Sequence, residues 1–158
     1  MNVKTLETIR KQDIPTIGGL VDIAKASADF YSRETKVVSD PGLSKLLSEM
    51  ADARHRFVNG VIGEATSKSP APVDASKDVP VVNAWKGLYS ELEPSMSDKN
   101  LGFVPVLVGS ETRLLAAFDK ASADARLPAE IKQAVASYLP ALRQHQTILQ
   151  DRSWAKVA

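Results

Sequence analysis

Glu111 and His145 are the two side chains of this sequence whose types and spacing could support chemistry inside a folded core. Glu111 stands in a helical run with Val104, Leu107, Val108, Leu115 and Phe118, and the 3.6-residue period turns it toward their face. His145 stands likewise among Tyr138, Leu142 and Leu149. Two further polar residues fall in line with apolar stripes: Tyr31 follows Ala28, and Arg54 lies between Met50 and Phe57. An unpaired carboxylate away from water is costly, so Glu111 requires a cation, a hydrogen-bond donor or a metal. His145, Arg54, Tyr31, Tyr138 or a divalent ion would each serve. Glu111 and His145 converging on one point, with a third oxygen from Asp52, Glu34 or water, would make a weak or mononuclear metal site. The plainer reading is a buried pair that sets helix register. Arg54 either extends that pair or, the plainer reading for it, carries its guanidinium out to the edge of the bundle. Tyr31 and Tyr138 are then core aromatics, and Asp52 and Glu34 face water.

Other signatures of chemistry are missing. The eight glycines are scattered and form no phosphate loop. Gly109-Ser110-Glu111 lies in a helical pattern, not on the strand-to-helix turn of a nucleophile elbow. Two histidines cannot make a three-histidine zinc site, and the absence of cysteine excludes disulfides, a thiol nucleophile and thiolate metal centres.

The elements that must position Glu111 and His145 are four long helices. The periodicity predicts helices over about 15–38, 41–65, 99–123 and 128–152, with a short helix near 81–93 inside a crossover spanning 66–98. Asp40 is suited to cap the second helix, with Pro41 in its first turn. Pro105 implies that the third helix either starts there or kinks, and Pro140 implies a bend in the fourth. Ser67–Val73 has linker composition. Two tight connections and one long one describe two helical hairpins, hence one all-α domain: an antiparallel four-helix bundle over residues 1–158.

The hairpin plan, Asp40-Pro41-Gly42-Leu43, Ala51-Asp52-Ala53-Arg54-His55-Arg56-Phe57, Ser110-Glu111, and Tyr138 with His145 together resemble an uncharacterised bacterial branch of the ferritin-like superfamily, a domain of unknown function. Active di-iron members supply one inward Glu and one Glu-x-x-His pair from each hairpin. The resemblance implies iron or manganese as the metal, with Glu111 as the single Glu of the second hairpin and His145 as its His. Leu142 stands where the Glu of the pair belongs, Ala28 where the first hairpin's Glu belongs, and Asp52–His55 is the nearest approach to its pair. His55 turns off the main stripe, toward a flank. With so few ligands left, the resemblance implies a degenerate metal site in a non-catalytic scaffold or stress-related protein. The metal-binding oxidoreductase remains the rival reading.

Twenty basic residues balance nineteen acidic ones, for a formal net charge of +1, so no basic face invites nucleic acid. An apolar share of 44% is that of a globular chain, and no apolar run approaches membrane-spanning length. The start of the chain lacks the apolar stretch of a signal peptide, so a cytoplasmic protein is the expectation. A third reading is a protein–protein interaction module presenting Val81, Trp85 and Leu88 of the crossover helix. Trp154 would serve either as a packing anchor or as a subunit contact in a homodimer.

Overall fold

The computed structural model describes residues 16–68 and 79–157, with side chains described for 16–61 and 80–152. The central part of the linker, the chain's start and the side chain of Trp154 therefore lie outside the described residues. Among the described residues the protein is all-helical, with no strand. Five α-helices follow in order: α1 (Ile17–Glu34), α2 (Pro41–Lys68), α3 (Val79–Leu92), α4 (Val104–Ser122) and α5 (Ala129–Val157), with a 3-10 turn at Glu93–Ser95.

Each helix begins and ends for a local reason. Thr16 caps α1 by accepting from the Gly19 N–H at 3.1 Å, and Asp40 accepts from the Leu43 N–H at 2.8 Å at the start of α2. Helix α1 stops at Glu34, four residues before the expected end. There the Thr35 hydroxyl donates back to the Tyr31 carbonyl at 2.8 Å, and the Val37 and Val38 N–H groups both donate to the Glu34 carbonyl. Helix α4 starts at Val104 rather than near 99, because the ring of Pro105 is tolerated only where no intrahelical N–H is needed. Ahead of it Leu101 takes the left-handed conformation, φ 55°, with its side chain in the core. Helix α5 runs through Pro140 without interruption. Pro140 and the residue one turn before it, Ala136, are both exposed, so the carbonyl deprived of its donor faces water.

Apolar stripes decide the packing. Helix α1 lies on α2, α4 on α5, and α2 on α5, while α1 also touches α4. Leu20, Ile23, Phe30, Leu47, Leu107, Leu114, Val135 and Leu149 meet in one core. Helix α3 lies against α1 and buries Val81, Trp85, Leu88 and Leu92. The face that the interaction-module reading would leave free for a partner is thus spent on the protein's own core, which gains roughly 1.5–3 kcal/mol for each large apolar side chain removed from water.

Candidate functional site

A buried ion pair occupies the centre of the bundle. Arg54 of α2 is 1% exposed and Glu111 of α4 is fully buried. The Arg54 Nη2 donates to Glu111 Oε1 in a close contact. The other carboxylate oxygen, Oε2, accepts from the Tyr31 hydroxyl of α1 at 3.1 Å. Arg54 then spends its remaining nitrogens on two further helices. Its Nε donates to the Tyr138 hydroxyl of α5 at 2.8 Å, and its Nη1 donates to Ser27 Oγ of α1 at 2.8 Å. Ser27 in turn donates to the Ala24 carbonyl at 2.9 Å. The guanidinium also lies over the Tyr31 ring, 5.1 Å from its centroid. One arginine therefore ties together α1, α2, α4 and α5.

Aromatic rings enclose this pair on two sides. Phe30, Tyr31 and Tyr89 form one group, with the Phe30 and Tyr89 rings stacked at 5.0 Å. Phe57, Phe118 and Tyr138 form the other, with centroids 5.1–5.2 Å apart. Excluding water in this way strengthens each contact of the pair and makes a lost partner expensive. Burial and the adjacent Glu111 carboxylate hold the Tyr31 hydroxyl well above its ordinary pKa, so it remains a donor. Burial also raises Tyr138 and Tyr89. For Arg54 burial acts downward, but the Glu111 carboxylate overrides it and keeps the guanidinium charged. Two buried donors at the crossover, the Trp85 Nε1 and the Tyr89 hydroxyl, have no hydrogen-bond partner among the described residues.

The other residues singled out in the sequence are dispersed. Arg54 does not reach the bundle edge; among the described residues it is the buried cation, because an inward carboxylate and two hydroxyls satisfy it there. His145 is half-buried on α5, and no hydrogen bond or ion pair joins it to Glu111 among the described residues. Burial and the positive field of Arg54 lower its pKa, which favours the neutral ring. Asp52 is exposed on α2, away from the pair. Glu34 does not face water: it is 3% exposed at the C-terminal end of α1. Burial and the nearby Glu93 carboxylate raise its pKa. His55 sits on the flank, its Nε2 3.2 Å from Asp29 Oδ1, with both side chains nearly half exposed.

Iron or manganese, the metals the family resemblance implies, do not fit this arrangement. A di-metal centre needs about six protein ligands, four of them carboxylates. Among the described residues no three His, Asp or Glu side chains gather to hold a metal ion. The central carboxylate, Glu111, already bears a guanidinium and a phenol, so an approaching cation would meet positive charge where a ligand's lone pairs should be. The sequence singles out Tyr89 as a clamp onto the bundle but not Ser27 as a partner of Arg54. The signal for Ser27 was present, since it lies one turn before Tyr31 on a buried stripe with Ala24 and Ala28.

Comparison of the chain with protein-family models, curated proteins and solved structures finds no match.

Proposed function

We propose that this protein is a non-catalytic scaffold: a ferritin-like bundle of two antiparallel hairpins, α1–α2 and α4–α5, in which an ion pair stands where relatives of that plan would hold metal. The carrying observation is the saturation of Glu111 by Arg54 and Tyr31. Tight connections within each hairpin and the long crossover between them support the antiparallel arrangement, as does the packing of α1 on α2 and α4 on α5. A reactive site keeps an open position for substrate or metal, whereas here the charged groups answer one another. The interaction-module reading through Val81, Trp85 and Leu88 loses its basis, since all three are buried.

Elemental analysis after exposure to Fe(II), Mn(II) and Zn(II) tests the proposal. The protein and a Glu111→Ala, His145→Ala double variant are both expected to retain metal far below one equivalent. Stoichiometric metal in the native protein that disappears in the variant would overturn the scaffold reading and restore an oxidoreductase centred on Glu111 and His145.

A further inference from the structure

The outer seam between α2 and α5 is a trough of about 300 Å³. Its floor is the stacked pair Phe57 and Tyr138, whose hydroxyl turns inward to Arg54. Its walls are kept low because Ala53 and Gly60, seven residues apart on α2, face Ala134 and Ala141, seven apart on α5. Larger side chains at these four positions would close the seam, as they do in a filled helix interface. The rim carries one charge, Arg56, with the Ser137 hydroxyl across from it. Arg56 is exposed and makes no ion pair or hydrogen bond among the described residues. Ser137 Oγ accepts a long contact from Gln133 at 3.4 Å, which leaves its own proton free to donate.

We propose that this trough binds a small apolar carboxylic acid, its hydrocarbon or ring portion laid over Phe57 and Tyr138 and its carboxylate on Arg56 and Ser137. The volume matches roughly ten water-sized groups at ~30 Å³ each, the lower end of ligand pockets. The charge complementarity selects an anion. An apolar floor with one cation and one hydroxyl at its edge can orient an amphipathic acid, but offers a neutral alkyl chain nothing to fix its end. The inference stands apart from the scaffold reading, since it uses neither Glu111 nor the two side chains bound to it, and shares with that network only Tyr138, whose hydroxyl accepts from Arg54.

The test is titration of the protein with octanoate and, in parallel, with octanol, followed by backbone NMR and calorimetry. Octanoate is expected to bind with a dissociation constant of order 1 mM or tighter and to shift the amides of Ala53, Gly60, Ala134 and Ala141. Arg56→Gln is expected to weaken octanoate about tenfold and leave octanol unchanged. Gly60→Leu should abolish binding of both. No heavy atom lies within 4 Å of a Cβ built at Gly60, so the added side chain meets open space and the fold is not opposed. Equal affinity for octanol and octanoate would overturn the assignment of an acid. Unchanged octanoate binding in Gly60→Leu, or no binding to the native protein, would overturn the site.

Discussion

Two arginine–carboxylate contacts in this protein use the same chemistry in opposite surroundings. Arg54 and Glu111 meet at the centre, 1% and 0% exposed. Arg152 and Asp40 meet at 2.6 Å where α5 passes the α1–α2 turn, 37% and 35% exposed. At the surface, water screens the charges and remains as an alternative partner for either group, so the pair contributes little. In the core nothing replaces a lost partner. The central contact therefore acts less as a source of stability than as a condition that only one arrangement of four helices satisfies.

The largest expected effect comes from breaking the central contact on one side. Glu111→Ala leaves the Arg54 guanidinium buried without a counter-charge, and chemical denaturation should show a loss of about 3–5 kcal/mol. Replacing both partners, Arg54→Met with Glu111→Met, should cost clearly less than the sum of the single substitutions. It also leaves Ser27 and Tyr138 without Arg54 and Tyr31 without Glu111, so the comparison is best read through the coupling energy of the double-mutant cycle. Additive losses would mean that the two side chains do not act as a pair.

An intermediate effect is expected from Glu34, a buried carboxyl that no ion pair holds among the described residues. Burial raises its pKa, Glu93 on the neighbouring 3-10 turn raises it further, and Arg33 on its own helix opposes both. A raised folded-state pKa means that the folded protein holds the proton more tightly than the unfolded chain. The stabilisation is full below the ordinary value of 4.5 and is lost as pH rises through the raised one. Glu34→Gln should therefore melt above the native protein at neutral pH and converge with it in acid. Parallel melting curves across that range would show that Glu34 ionises freely.

The smallest effect belongs to the surface contact. Arg152→Ala should cost about 0–1 kcal/mol, with the loss shrinking at high salt. Gly42→Ala reaches the same contact by another route, since a Cβ there would lie 1.8 Å from Arg152 Nη2 and push that flexible end aside. Alanine also gains up to about 1 kcal/mol of helix propensity, so the net change in melting temperature should be near zero or upward. A large loss in either variant would mean that the turn region is more tightly coupled to the core than its exposure indicates.

Much of this was legible from residue order. The inward positions of Tyr31, Arg54, Glu111 and Tyr138 follow from counting along stripes, and the Asp40 cap follows from its place before Pro41. The burial of Glu34 was not legible, because it sits at a helix end where the crossover, distant in sequence, comes down over it. The same is true of His145, whose stripe points inward while its ring remains at the half-buried margin.

The amino-acid order alone determined that the chain is helical, where its proline and aspartate punctuation falls, and that Glu111 and Arg54 both lie on inward stripes, though the guanidinium was expected to reach out to the edge. Periodicity carries that information because it depends only on near neighbours along one helix. Only the tertiary structure decided that Glu111 answers to Arg54 and Tyr31 rather than to His145. The partners lie 57 and 80 residues away in sequence, and the choice among them rests on helix separation and register, which no single stripe encodes.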